Sequence, residues 1–260
     1  MKIATWNVNS IRTRLQHVVD WLIQNPIDVL CMQETKVIDD NFPRSPFAEL
    51  GYHLYLSGQK SYNGVAILSQ QPLQDVSTSF TTILPEISPE FDEQKRLVTG
   101  VINGIRIVNL YVPNGSAVDS EKYEYKLRWL AMLREYLQTL LTSTPEICIC
   151  GDFNIALEDK DIHEKANPEN HIMASEPERQ ALRDILTLGF ADAFRKFTLE
   201  GGYYSWWDYR AASFRRNLGW RIDHHYLTPV LYERAKSCTI DITPRKLPQP
   251  SDHAPVILEF

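Results

Sequence analysis

The sequence predicts an α/β protein built as a layered sandwich, with two mixed β-sheets flanked by helices. Two observations lead there. Short strands rich in β-branched residues alternate with two long amphipathic stretches, and hairpin-like pairs of strands interrupt that alternation. Polar residues also follow apolar strands abruptly, from the first strand to the last. They can meet only in one fold, which predicts a single domain over 1–260.

Taken in order, residues 2–8 form a short β-branched strand. Ser10 is then placed to cap a helix whose apolar positions are Ile11, Leu15, Val18, Val19, Leu22 and Ile23. Asn25-Pro26 ends it, and 28–33 is the next strand, stopping at Glu34. Residues 52–56 and 62–68 read as two strands joined by a polar turn. Strands over 97–102 and 105–112 flank Asn103-Gly104, a type I′ turn signal, so they form a hairpin ending near Tyr111. Helical spacing returns at Tyr123, Leu127, Leu130, Leu133, Leu137 and Leu141, with Pro145 just beyond. Four buried strand residues, 147–150, lead to Gly151, where the backbone is expected to turn and present Asp152 and Asn154 together. Residues 159–170 are polar and read as a surface loop. Ser175-Glu-Pro-Glu178 fits a capping box that opens a helix, and Gly189 suits its end. A strand over 222–227 and a closing strand over 256–260 complete the pattern.

At 260 residues the chain can bury a full core, and 43% hydrophobic with 23% charged residues is ordinary for a globular protein. No apolar run approaches the roughly 20 residues of a membrane span. Met1-Lys2 leads straight into a strand, without the layout of a secretion signal. Cys31, Cys148, Cys150 and Cys238 lie in strand-like surroundings without zinc or disulfide spacing, so buried free thiols and a cytoplasmic, reducing location are expected. A net charge of −6 argues against indiscriminate nucleic-acid binding but permits a local basic face.

The chemistry is expected at Asn7 with Asn9, Glu34, Asp152 with Asn154, Asp223, and Asp252 with His253. Singly, each is equally a cap or turn residue; together they suggest a site. Glu34 offers the hard oxygen that Mg²⁺ prefers. Asp152 and Asn154 can hold a water beside a phosphoryl oxygen. A carboxylate such as Asp223 on one nitrogen of His253 would leave the other for a phosphate, and the Tyr111 hydroxyl could reach the same group. Trp206, Trp207 and Trp220 are intermixed with Arg210, Arg215, Arg216 and Arg221, a combination suited to a nucleic-acid backbone with one exposed sugar or base.

Seven segments, in order and spanning nearly the whole chain, resemble the exonuclease III family of apurinic/apyrimidinic endonucleases, within the DNase I-like metal-dependent phosphodiesterases. They are Thr5-Trp-Asn-Val-Asn-Ser-Ile-Arg12, Leu30-Cys-Met-Gln-Glu-Thr-Lys36, Tyr62-Asn-Gly-Val-Ala-Ile67, Asn109-Leu-Tyr-Val-Pro-Asn114, Gly151-Asp-Phe-Asn154, Gly219-Trp-Arg-Ile-Asp223 and Ser251-Asp-His-Ala-Pro255. The resemblance implies a four-layered DNase I-like sandwich and a Mg²⁺-dependent enzyme, with Mn²⁺ able to substitute. It implies a monomer that cuts duplex DNA 5′ to abasic sites, with 3′→5′ exonuclease and 3′-phosphatase activity at blocked ends, and no membrane partner. Asn7, Glu34, Asp152, Asn154, Asp252 and His253 would surround the metal. Asp152 would take the proton of the attacking water, with Asn154 supporting it. His253, oriented by Asp223, would contact the phosphate, as would Tyr111 and Asn114. Trp206, Trp220 and Ile222 would line a pocket for the baseless sugar. Arg12, Lys36, Arg215, Arg216 and Arg221 would supply positive charge toward DNA. Asn9 stands where some members carry Asp, which argues against a second tightly held ion. A phosphoinositide or sphingomyelin phosphodiesterase on the same scaffold, or a non-catalytic DNA-binding module, are the alternatives.

Overall fold

Two parallel strand pairs, each crossed over by a helix, form the centres of two facing sheets in the computed structural model, which describes residues 1–164, 166 and 171–260. The first half of the chain runs β1 (Lys2–Asn7), α1 (Ile11–Gln24), β2 (Val29–Gln33), α2 (Ser45–Glu49), β3 (His53–Ser57), β4 (Val65–Ser69), β5 (Gln74–Ser77) and α3 (Glu90–Glu93). Then come β6 (Leu97–Ile102), β7 (Ile105–Tyr111), α4 (Glu121–Leu141), β8 (Ile147–Asp152), α5 (Glu176–Leu186), β9 (Ala191–Asp192) and α6 (Ala193–Phe197). The chain closes with β10 (Asp223–Leu227), α7 (Pro229–Arg234), β11 (Ser237–Ile240) and β12 (Val256–Glu259).

The first sheet has the order β11-β12-β1-β2-β4-β3 and the second β5-β6-β7-β8-β10-β9. Among the described residues, β1 with β2 and β7 with β8 pair in parallel and the other strand pairings are antiparallel, so both sheets are mixed. Side chains alternate between the faces of each strand. Ile3, Val29, Cys31, Ile107, Cys148 and Cys150 point between the sheets, where they form one apolar core. Ala4, Trp6, Leu30 and Met32 point outward against α1, and Val108, Leu110, Ile147 and Ile149 outward against α4. Helix, sheet, sheet and helix are therefore the four layers predicted. Burying one of these large apolar side chains contributes about 1.5–3 kcal/mol.

Away from the edge where the strands end, a polar pair crosses between the sheets. Gln33 of β2 donates to the Asn109 side chain of β7 at 2.7 Å, and Asn109 donates onward to the Met32 and Ala66 carbonyls. These directed bonds help fix the relative register of the sheets, although Gln33 Oε1 is buried without a partner.

Several expectations need correcting. Ser10 precedes α1 but makes no capping bond, because its φ of 88° turns it out of the extended capping conformation. The strand expected from residue 62 begins at Val65, since Ser61, Asn63 and Gly64 all have positive φ. Gly151 is not a turn. It lies within β8, and a Cβ there would come 1.9 Å from the Leu110 carbonyl oxygen of β7. The strand continues through Asp152, and the chain turns at Asn154, whose φ is 50°. Within the loop expected over 159–170, Asp159–Asp161 is a 3-10 turn, while residues 165 and 167–170 lie outside the described residues. The Asn103-Gly104 hairpin turn and the Ser175–Glu178 capping box are found as expected.

Candidate active site

Strand alternation gathers the polar residues. The inward-facing series Ile3-Thr5-Asn7, Ile105-Ile107-Asn109-Tyr111 and Cys148-Cys150-Asp152 all end at the same edge of the sandwich. Asp223 joins them from the opposite direction. It begins β10 rather than ending a strand, and it faces Asp152 because β10 runs antiparallel to β8. Asp252 and His253 likewise precede β12, which is antiparallel to β1.

Asn7 sits at the centre. Its Nδ2 donates to Glu34 Oε1 and to Asp152 Oδ2, both at 2.9 Å, joining two acids from the two sheets. Glu34 Oε1 also accepts the Tyr111 hydroxyl at 2.8 Å, and Oε2 pairs with Lys36 at 2.7 Å. Burial pushes the Glu34 carboxyl up, but Lys36 and the Asn7 bond outweigh it and hold it below its ordinary value. Burial and the charge on Glu34 raise the Tyr111 phenol far above its ordinary value, so it remains a donor.

Asp152 is 1% exposed; its Oδ1 accepts the Asn154 backbone N–H at 2.9 Å. His253 Nδ1 lies 2.9 Å from Asp223 Oδ2, and Nε2 faces Asp152 Oδ2 at 3.7 Å, too far for a hydrogen bond. Burial lowers the His253 pKa, but Asp223 and Asp152 outweigh it and raise it, favouring an imidazolium whose Nε2–H points into the site. Asp152 is pushed up by burial, against the pull of His253. The Asp223 Oδ1 atom is buried without a hydrogen-bond partner.

The surrounding loops hold the remaining residues. Ser10 N donates to the Glu34 carbonyl and Ile11 N to the Thr35 carbonyl, while Thr35 N and Lys36 N donate to the Gly64 and Asn63 carbonyls. Asn9, Glu34, Lys36 and Asn154 all carry positive φ, a region that Asn tolerates and that Glu and Lys enter less readily. Asn114 Nδ2 donates to Asn154 Oδ1 at 3.0 Å, and Asn154 Nδ2 to the Val112 carbonyl. Asp252 accepts Trp206 Nε1 and Asn9 Nδ2, both at 2.9 Å.

The donor set fits a hard divalent cation. Asp152 and Asp223 offer carboxylate oxygens that lie within 4.8 Å of each other and of a ring nitrogen of His253, which would ligate only as the neutral imidazole. Glu34 lies across Asn7 from Asp152; its Oε1 accepts Asn7 and Tyr111, and its Oε2 meets the Lys36 ammonium, a positive charge whose place a cation could take. Carboxylate oxygens so clustered, with one left unpartnered at Asp223, suit an oxygen-loving ion better than a soft one.

The aromatic and basic residues divide. Trp220 and Ile222 are buried in an apolar cluster with Ala156, Ile162 and Met173, and Trp206 packs at its border. His171 lies against Trp220 at 4.7 Å between ring centroids. Trp207 belongs to a separate small cluster with Tyr204 and Ala254. Arg12, Arg215 and Arg216 are exposed. Arg210 spends its charge on Asp208. Arg221 cannot face DNA. It is 1% exposed and pairs with Asp161 at 2.7 Å and Asp192 at 2.8 Å.

That ion pair has a measurable consequence. Asp161 is fully buried and also accepts Arg195. Burial raises its carboxyl, but Arg221 outweighs it and the folded value lies below the ordinary one. Its stabilisation is therefore present above the unfolded pKa, near 4, and is lost as pH falls through the lower folded value. Asp161→Ala, which leaves two guanidinium groups without their acid, is expected to cost about 3–5 kcal/mol at neutral pH. In urea unfolding, that gap should narrow on acidification; a gap independent of pH would show that the charge is not what Asp161 contributes.

Two residues that contact the site escape the sequence reading. Arg96 lies over the Tyr111 ring, 4.7 Å from its centroid, and donates to the Tyr111 carbonyl. Lys126 is buried beneath the Asn114 and Asn154 loops. Its signal was available: it falls on the helical stripe of Tyr123, Leu130 and Leu133, where a charge is out of character.

A model described as the endonuclease/exonuclease/phosphatase family matches residues 4–253. The chain is 34% identical to an exodeoxyribonuclease of Bacillus subtilis over 99% of its length and 98% of that protein. Among solved structures, an AP endonuclease from Archaeoglobus fulgidus is 44% identical with a TM-score of 0.93, covering 100% of this chain and 99% of that one. The 3′ phosphatase NExo from Neisseria, bound to product DNA hairpin, is 41% identical with a TM-score of 0.94 and the same coverage.

Proposed function

Since the chain belongs to the endonuclease/exonuclease/phosphatase family, on its exonuclease III side, we propose that it is a Mg²⁺-dependent DNA repair phosphodiesterase. It cleaves the duplex backbone 5′ to abasic sites and removes nucleotides or phosphate from 3′ ends. The observation that carries this reading is the convergence of Asp152, Glu34 and the Asp223–His253 pair around Asn7.

In this reading Asp152 takes the proton of a water aligned with the scissile bond. Its two oxygens are fixed by Asn7 and the Asn154 amide, so the lone pairs are aimed before substrate arrives. The His253 Nε2–H donates to a non-bridging phosphate oxygen, with Asp223 holding the ring and its charge. Tyr111 and Asn114 border the same phosphate. Glu34, Asp152 and Asn7 would hold the cation, with Asn154, Asp252 and His253 around it. Bound there, Mg²⁺ or Mn²⁺ supplies Lewis-acid stabilisation of the charge that develops on phosphate and leaving oxygens. Trp206, Trp220 and Ile222 form the wall for a flipped sugar, and a site already lacking its base unstacks at low cost. Arg12, Lys36, Arg215 and Arg216 take the flanking phosphates. The protein acts as one catalytic domain over 1–260, a monomer of the cytoplasm; its four free buried thiols support a reducing location, and no helix among the described residues is long and apolar enough to cross a membrane.

The test is a duplex carrying one abasic analogue and a second with a 3′-phosphate, incubated with Mg²⁺ or chelator. Nicking at the lesion and phosphate release are expected only with the metal. If neither occurs, a phosphodiesterase of lipid substrates on the same scaffold takes precedence. Binding should weaken with a log–log salt slope of about −3 to −4 if four basic residues neutralise phosphates.

A further inference from the structure

Beneath the site, Lys126 of α4 is fully enclosed: the residue is 0% exposed. Its ammonium donates to the Asn154 carbonyl at 2.7 Å, to the Asn114 carbonyl at 3.2 Å and to Glu178 Oε1 at 2.5 Å. All three protons are therefore committed. The two carbonyls belong to loops that follow different strands, β7 and β8, and the side chains of the same two residues bond each other on the site's side. Glu178 is no looser. It accepts Met173 N, Ser175 N and the Ser175 hydroxyl, the last at 2.6 Å, at the start of α5.

A buried ion pair of this kind is a poor device for stability, because apolar replacements of equal volume are often neutral or better. What it does supply is direction. Asn154 carries a φ of 50°; its N–H reaches Asp152 Oδ1 at 2.9 Å, while its carbonyl, in the next peptide unit, turns inward to accept Lys126. A carbonyl buried there without a donor would turn away. We propose that Lys126 is a positioning residue, a single cation that ties the Asn114 and Asn154 loops together from below and so aims Asn154 and, through it, Asp152. This rests on the phosphodiesterase reading above. Lys126 never touches substrate and acts only through the two asparagines.

Lys126→Met alone leaves Glu178 charged and buried, so the test uses two other variants. Lys126→Met with Glu178→Gln removes both charges together and keeps an acceptor for α5. Lys126→Arg keeps the charge but moves the donors. On the abasic or 3′-phosphate duplex, kcat is expected to fall about 10- to 100-fold in the double variant and about tenfold in Lys126→Arg, with KM changed less than about threefold. A merely structural lysine would lower the melting temperature and leave kcat alone. In a double-mutant cycle, Asn154→Ala should cost less in the Lys126 variants than in the parent. Folded variants with parental kcat, or full additivity with Asn154→Ala, would overturn the proposal. A readout independent of turnover is the side-chain amide NMR signals of Asn114 and Asn154, which should shift and exchange faster in both variants. If the parent protein cuts no DNA, the functional reading fails, while unmoved amide signals would still refute the role of Lys126 and displaced ones uphold it.

Discussion

Asp152→Asn is expected to lower the single-turnover cutting rate about 10²- to 10⁴-fold, the usual worth of a general base, while duplex binding stays near its parental value. The amide is nearly isosteric, and its oxygen can still accept the Asn154 N–H that Asp152 Oδ1 accepts now. What it lacks is a basic lone pair at the second position, where Asn7 Nδ2 lies at 2.9 Å. The Asn7 amide keeps its other acceptor, Glu34, so the loop has no reason to collapse. Gel-shift and rapid-quench measurements on one abasic duplex separate binding from chemistry. Cutting at the parental rate would remove Asp152 from the role of base.

The second large effect concerns the residue before it. Gly151→Ala is expected to destabilise the protein by more than about 4 kcal/mol, or to prevent folding. The added methyl would lie 1.9 Å from the Leu110 oxygen, 2.8 Å from its carbon and 3.0 Å from its nitrogen. These are backbone atoms of the neighbouring parallel strand, and they cannot rotate aside as a side chain could. The φ of 144° adds a conformational penalty for any L-residue. Urea unfolding of soluble protein gives the measurement; a midpoint equal to that of the parent would mean that β7 and β8 separate at little cost. Because Tyr111 pairs opposite Asp152 one step on, any such separation would also pull the phenol and the acid apart.

How much the sequence carried follows the same physics. The central strands, α1, α4 and the Asn103-Gly104 hairpin were legible because their periodicity and turn residues are local. So was the set of polar residues at the site, since each interrupts an apolar run. Asp223 meets His253 as expected, but it opens a strand rather than ending one: a strand's sequence does not state its direction, and only the antiparallel pairing with β8 brings its first residue to the others' last. A glycine that permits a turn and one that permits close approach look alike until the neighbouring strand is known, which is why Gly151 was misread. Arg221 was grouped with exposed arginines because its partners, Asp161 and Asp192, are distant in sequence. The short β5, β9 and β11 and the one- or two-turn helices α2, α3, α6 and α7 are too brief to display a period.

The Asn7 amide bridges an acid from each sheet, with Asn7, Glu34 and His253 on one side of the interface and Tyr111, Asp152 and Asp223 on the other. Neither sheet owns a complete set of reactants. In the proposed mechanism hydrolysis would therefore require the two sheets to be docked, since each contributes part of the site.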